Sequence, residues 1–500
     1  MEYTDVLIVG AGLSGIGAAV HLQKGAPSKS YKIVEARDAI GGTWDLFRYP
    51  GIRSDSDMHT LGYDFKPWTK AKAIADGPSI RDYVNETADE YGVREHIRFN
   101  HKVTKAEWSS PRARWTVTME APDGERQIEC AFLYLNSGYY DYDQGYRPDF
   151  PNEDAYKGEI IHPQHWPETL DYKDKRVVVI GSGATAVTIV PVIAEDAAQV
   201  VMLQRSPTWM VSRPSQDRIG NLLRKLLGEK RAYKAIRFKN VRMTDWFFKR
   251  SRKEPEKVGD KLLDMLRKVL PEDYDLETHL TPRYGPWEQR LCLVPDNDFF
   301  DALSDGSAEI VTDHIERFEE EGIRLKSGTF LQADIVVSAT GLNMKAMGGA
   351  EIVVDGKTVH PNTTYPYKGI MFAGIPNFGA TLGYSNASWT LKADISAKFI
   401  CRLLNHMDET GSDIALPGFP EGDYEEEPIL NLTSGYVERA KHLMPKSTNK
   451  APWQQTHDYL KDRKVLLEGE LADGTISFLR ASEHNIAGAS EDESLAVAAE

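Results

Sequence analysis

The chain is predicted to be an α/β protein of two dinucleotide-binding (Rossmann-like) domains, with a helical insertion in the second. Three features predict this. Two strand–glycine turn–helix units begin at Val6 and Arg176, a strongly basic helix-patterned block follows the second unit, and strand and helix patterns resume after Asp334.

The totals set the frame. Five hundred residues are too many for one ordinary core, so two domains plus an insertion are expected, and an apolar fraction of 41% can fill them. A net charge of −15 excludes general nucleic-acid binding, which needs a basic surface to neutralise phosphates. Cys130, Cys292 and Cys401 are odd in number and far apart, with no CxxC and no zinc spacing, so neither a disulfide framework, a metal site nor a dithiol reductase is expected. Met1 leads directly into the strand-like Asp5-Val6-Leu7-Ile8-Val9, without a signal-peptide pattern, and no apolar run approaches the roughly 18 residues a membrane span needs. A cytoplasmic protein, soluble or at most membrane-peripheral, is the expectation.

In the first unit the strand Val6 to Val9 runs into Gly10-Ala11-Gly12-Leu13-Ser14-Gly15 and a helix. Gly10 makes the tight turn, Gly12 lets backbone approach a pyrophosphate at the helix N-terminus, and Gly15 allows close helix–strand packing. The next strand, Lys32 to Val34, ends in Glu35, an acceptor suited to ribose hydroxyls. Gly41 to Asp57, GGTWDLFRYPGIRSDSD, fits neither helical nor strand periodicity. It reads as a rigid loop that closes over a flat aromatic cofactor and carries an acid and an arginine toward it; the alternative is a surface loop with a satisfied ion pair. Arg98 to Trp108, Trp115 to Met119 and Ala131 to Leu135 read as strands of the first sheet, and Gly158 to Pro167 as a hinge.

The second unit is Arg176 to Ile180, then Gly181-Ser182-Gly183-Ala184-Thr185-Ala186, a helix through Ala194 and a strand Gln199 to Leu203. Glu35 lies 25 residues after the first glycine of its unit; the equivalent position here is Ser206, preceded by Arg205. An acid would repel a 2′-phosphate, whereas a guanidinium and a hydroxyl bind one. The first unit therefore suits the unphosphorylated ribose of FAD and the second suits NADPH. The alternative for Arg205 is an ordinary strand-end charge.

From Arg213 to Lys268 there are 18 Lys and Arg against 7 Asp and Glu, a local charge of +11. Its Trp246-Phe247-Phe248 cluster beside Lys249-Arg250 has two readings, contact with an anionic membrane or partner, and a helical cap with a solvated basic face. Tyr284 to Pro295 is turn-rich, with Arg290 set among apolar residues. Asp334 to Ala339 and Ile370 to Ala373 read as strands. Leu391, Ile395, Phe399, Leu403 and Met407 mark a helix with Asn386 as N-cap. Its N-terminus suits the anionic edge of a reduced flavin, or the helix simply packs. Residues 481–500 are small, polar and acidic, and are expected to be disordered. The expected domains are 1–145 with 334–480 for FAD and 146–333 for NADP, the insertion spanning about 213–283.

Two further patterns carry a family resemblance. Tyr156, Gly158, His162, Trp166 and Pro167 match the fingerprint aromatic-x-G-x-x-x-H-x-x-x-W-P/D, with Tyr in place of the usual Phe. Gly41, Gly42, Trp44, Tyr49, Pro50, Gly51 and Asp55 match G-G-x-W-x-x-x-x-F/Y-P-G/M-x-x-x-D. With the two glycine motifs in order, the chain from Asp5 to about Met407 resembles the class B flavoprotein monooxygenases, specifically Baeyer–Villiger monooxygenases, and most of all the ethionamide-activating branch. The resemblance implies the two-domain flavoprotein fold, with FAD held by Ser14, Glu35, Thr43, Trp44, Asp45, Leu46, Asp55 and the Val103 backbone. It implies NADPH held by Arg53, Ser54, Asp55, Ser182, Gly183, Ala184, Thr185, Ala186, Val187, Thr188, Arg205 and Ser206. Arg290 matches the family's active-site arginine, with Asp55 implied as the residue that orients it; the Lys that precedes this arginine in many relatives is Gln289 here. His162 lies in the hinge and is assigned no acid or base role. The implied reaction uses O₂ and a C4a-peroxyflavin to turn a ketone into an ester or lactone, with sulfides as further substrates; the alternative is a flavin-containing heteroatom monooxygenase. Bulky or aromatic ketones and thioamide- or sulfide-containing drugs are the implied substrates, and Trp389 and Met344 to Gly349 are candidates to shape their pocket. No pattern specifies an oligomeric state.

Overall fold

The structure is a computed structural model that describes residues 1–481. Val6, Leu7 and Ile8 have no exposed surface, as befits a parallel strand covered on both faces. The strand Glu2–Val9 accordingly lies in the interior of a nine-stranded sheet, between Tyr31–Val34 and Gly124–Leu135 and parallel to both. Lys102–Ser109 and Arg114–Ala121 extend the sheet antiparallel, Ile97–Arg98 adds to its other side, and three late strands, Glu351–Val354, Lys357–Val359 and Phe378–Ala380, complete it. The chain thus returns to its first sheet after building a second. Helices Leu13–Gly25 and Trp389–Thr410 pack together in the same core.

The second sheet has five parallel strands, in the order Ala308–Thr312, Gln199–Gln204, Arg176–Ile180, Ile335–Ser338, Glu159–Ile161. Two expectations are corrected here. Ile335–Ser338, expected to open the return to the first unit, belongs to the second sheet. All four of its residues are buried, and its backbone pairs in parallel with Arg176–Ile180 on one side and Glu159–Ile161 on the other. The supposed hinge Gly158 to Pro167 therefore contains an edge strand of that sheet.

The crossings between the sheets lie just outside these strands, where Tyr140–Gly145 and Leu342–Met344 pair antiparallel. The His162 ring is wedged between them: Nε2 is 3.1 Å from the Gly341 carbonyl, and a Cβ at Gly145 would fall 1.9 Å from the ring. Burial lowers the pKa of His162, so it is a neutral spacer at pH 7.

The insertion forms helices Arg218–Leu227, Glu229–Lys253 and Pro255–Leu266, separated by Gly228 at φ 72° and started anew by Pro255. Arg237 pins the second of these to the first domain, donating to the carbonyls of His59 (3.0 Å), Thr60 (3.2 Å) and Gly62 (2.7 Å) and to Asp394 (3.0 Å). Asn386 is not the N-cap of the late helix. Ser388 holds that position while its hydroxyl meets Thr60 at 2.6 Å, and the Asn386 amide donates to the His457 carbonyl instead. Among the described residues no helix is long and apolar enough to cross a membrane. Beyond Ala481 the expected acidic tail lies outside the described residues.

Candidate active site

The loop Gly41 to Asp57 connects everything that follows. At its start Gly41 bridges Gly12 of the first glycine turn, donating its N–H to the Ala11 carbonyl at 3.1 Å. At its middle Gly51, with φ 75°, lies on the helix Ala184–Ile193 of the second unit: a Cβ there would sit 2.6 Å from Val192 Cγ2 and 2.8 Å from the Thr188 carbonyl oxygen. Only glycine fits the turn and the approach. At its end Asp55 faces the same cavity as Arg290.

Around the first turn, Gly10 (φ 104°) passes the Asn136 carbonyl so closely that a Cβ would lie 2.7 Å from its oxygen, and a Cβ at Gly15 would lie 1.9 Å from the Gly10 oxygen. The buried Glu35 accepts from the N–H groups of Ala11 (2.7 Å) and Arg37 (3.0 Å), and burial raises its carboxyl above the ordinary value. Two of its acceptor sites are used; a carboxylate has about four. His101 N–H donates to the Glu35 carbonyl at 2.8 Å, which brings Val103 close to this acid. Ser14 accepts from the Trp389 indole at 2.7 Å. Thr43 meets the Tyr142 hydroxyl at 3.0 Å, and Trp44 and Leu46 are half-buried beside it. Asp45 is buried under three guanidiniums, Arg37 (2.7 Å), Arg48 (2.9 Å) and Arg81 (3.8 Å); of these only Arg48 lies in the loop where the sequence allowed a satisfied ion pair.

The second turn is open. A Cβ at Gly183 would meet nothing within 4 Å, and no side chain caps the helix that starts at Ala184, so the first N–H groups, among them those of Thr185 and Ala186, are free for an anion. Val187 and Thr188 are buried in that helix. Ser182 binds the Ser206 carbonyl (3.1 Å) and the Thr208 hydroxyl (3.0 Å), joining the turn to the strand end. Arg205 and Ser206 are exposed there, and Arg205 has no carboxylate partner among the described residues.

Arg290 lines a cavity of about 180 Å³ with Asp55, Phe247, Trp287 and Ser385 to Ser388. Its guanidinium donates to no acceptor among the described residues. Burial opposes its charge, but Asp55 and then the hydroxyls of Tyr139, Tyr436 and Tyr140 outweigh this and raise its pKa. Asp55, expected to orient Arg290, makes no ion pair with it; Asp55 is exposed at the cavity and acts on the guanidinium through space. Its neighbours are differently committed, Arg53 being paired with Asp298, and Asp57 capping the turn at His59 and Thr60 while it accepts from Asn240. Ser54 is buried in a turn with Ser56. A larger cavity, about 580 Å³, lies on the Trp44, Tyr49 and Arg53 side of the loop. It lacks Arg290, so the smaller cavity is the better candidate for chemistry.

Comparison with known proteins gives the family. A flavin-binding monooxygenase-like family model matches residues 69–252, and an NAD(P)-binding Rossmann-like model matches residues 8–76. The FAD-containing monooxygenase EthA of Mycobacterium tuberculosis (strain ATCC 25618 / H37Rv) is 51% identical over 480 residues, 96% of this chain and 98% of that protein. The chain belongs to the flavin-binding monooxygenases. EthA of Mycolicibacterium smegmatis is 49% identical to this monooxygenase, again covering 96% of the chain and 98% of the relative. Among solved structures, an oxidized steroid monooxygenase bound to NADP has a TM-score of 0.76 at 22% identity, covering 96% of this chain and 100% of the other. Cyclohexanone monooxygenase from Rhodococcus sp. Phi1 bound to NADP⁺ has a TM-score of 0.73 at 19% identity, covering 96% and 99%. These two share the fold.

Near the Arg290 cavity of this monooxygenase lie further residues to which sequence reasoning gave no role. Trp287 lines the cavity with φ 68°, in a region bulky side chains avoid, and its indole N–H has no partner. Tyr139 and Tyr140 join Tyr436 around Arg290, with ring centroids 4.7 Å and 6.4 Å apart in succession. The only signal was the aromatic pair after Ser137-Gly138; nothing marked Tyr436.

Proposed function

We propose that the chain is an FAD- and NADPH-dependent Baeyer–Villiger monooxygenase that converts ketones to esters or lactones and also oxidises sulfides. The observation that carries this reading is the uncommitted guanidinium of Arg290 in a cavity walled by Phe247 and Trp287, next to a loop that joins the first glycine turn at Gly12 to the helix of the second unit at Thr188 and Val192. The donor sets fit the cofactors. Glu35 and the Gly10 to Gly15 turn would hold the FAD ribose and pyrophosphate; Gly183, the amides after it, Arg205 and Ser206 would hold NADPH. The domain assignment that goes with this is 1–145 and 340–480 for FAD, and 146–339 for NADP.

Bound FAD supplies the ring that NADPH reduces and at which O₂ is activated. The chain's own residues do the rest. An anion in a dry site is costly unless compensated, and Arg290, charged at any relevant pH, compensates both an anionic oxidant and the oxyanion of an attacked carbonyl. Tyr139, Tyr140, Tyr436 and Trp287 keep water out, which strengthens Arg290's field. Asp55 favours the charged guanidinium without occupying its N–H groups, leaving them for substrate. The test is product identity: phenylacetone should give an ester and thioanisole a sulfoxide, each with NADPH consumed. Sulfoxide without ester refutes the Baeyer–Villiger assignment.

A further inference from the structure

The insertion exposes apolar surface that the fold does not use. In the helix Arg218–Leu227, Gly220 alone is fully buried, while Ile219, Leu222 and Leu226, spaced on one face, are 61%, 57% and 70% exposed. In the helix Glu229–Lys253, packed beside it, Phe238 and Trp246 are 62% and 64% exposed, and the Arg242 guanidinium lies 4.5 Å from the Phe238 ring centroid. From Arg218 to Lys253 there are 13 Lys and Arg against two acids, Glu229 and Asp245, so these helices carry +11 in a chain of −15. Arg218, Lys225, Lys230, Arg231, Lys234 and Arg242 are exposed, and none makes an ion pair with a described residue.

We propose that this face docks the protein on an anionic lipid surface. Apolar ridges bordered by unpaired cations are the chemistry of a helix lying in a bilayer interface, with leucines at the acyl boundary and Lys and Arg among anionic headgroups. A second copy of this chain is the poorer occupant, because an isologous contact would set one +11 face against another. The remainder of the chain, at −26 by difference from the total, is repelled by the same lipid, so the charge asymmetry orients the molecule insertion-first. The same long helix lines the Arg290 cavity with Met243 and Phe247, which places the site's wall next to the docking face.

The test is flotation of the full-length protein with vesicles of phosphatidylcholine alone or mixed with phosphatidylglycerol, followed by the protein band so that it does not depend on flavin or activity. Wild type should partition to the anionic vesicles only and be released by high salt. Each of Lys230→Gln and Lys234→Gln should lower the partition coefficient about fivefold. The double variant Leu222→Asp/Leu226→Asp, at exposed positions that leave the circular dichroism unchanged, should abolish binding. Failure of wild type to bind anionic vesicles overturns the proposal, as does wild-type binding by the leucine variant. A dimer in sedimentation velocity that the leucine variant dissociates, without vesicle binding by wild type, would assign the face to self-association.

Discussion

Arg205→Ala separates the two nucleotide sites most cleanly. Arg205 is exposed at a strand end with no carboxylate partner, so its removal orphans no buried group and leaves the fold intact. What is lost is the interaction with a 2′-phosphate. A hydrogen bond to a charged group contributes about 1.5–3 kcal/mol, and solvent screening at an exposed site reduces this to roughly 1–2 kcal/mol. That is about a 5- to 30-fold rise in KM for NADPH. NADH lacks the phosphate, so its KM should stay within about twofold, and Ser206 should retain part of the preference for NADPH. The assay is steady-state oxidation of each cofactor with saturating ketone. Equal losses with NADPH and NADH would refute the reasoning and return Arg205 to the status of a surface charge.

Two further outcomes follow from packing and charge. Gly51→Ala forces a left-handed non-glycine residue into contact with Val192 and the Thr188 carbonyl, and should cost about 2–4 kcal/mol, read as a lower denaturant midpoint. An unchanged midpoint would show that the loop does not rest on the second unit. The buried pair Lys392–Asp462 (2.7 Å) contributes to acid stability: burial opposes the Asp462 charge, but Lys392, Thr456 and Tyr384 hold its carboxyl below the ordinary value. Its contribution is present above the unfolded carboxylate pKa and lost as pH falls through the lower folded one. Asp462→Asn should therefore flatten the acid limb of a stability–pH profile, and a parallel profile contradicts this.

What was legible in the chain was local. Glycine spacing, the acid at Glu35 and the switch to Arg205-Ser206 specify nucleotide chemistry within some thirty residues, and Gly51 advertises a turn that only glycine makes. Pairings across hundreds of residues were not legible. An apolar strand such as Ile335–Ser338 carries no mark of which sheet it joins, because any parallel sheet buries it equally well. Asp55, one of several acids in its loop, carries no mark of whether it touches Arg290 or acts on it through space, just as nothing local marks Arg53 for Asp298 or Asp57 for a capping role. Tyr436, nearly 300 residues from Tyr140, meets it only in the folded chain.

The central claim is that Arg290's free guanidinium serves oxygen transfer rather than cofactor reduction. Arg290→Ala tests it most directly, by comparing anaerobic flavin reduction by NADPH with ester formed from phenylacetone. Removing one preorganised cation should leave reduction within about twofold and lower ester formation by about 10²–10³. Ester formation at the wild-type rate in Arg290→Ala would contradict the account.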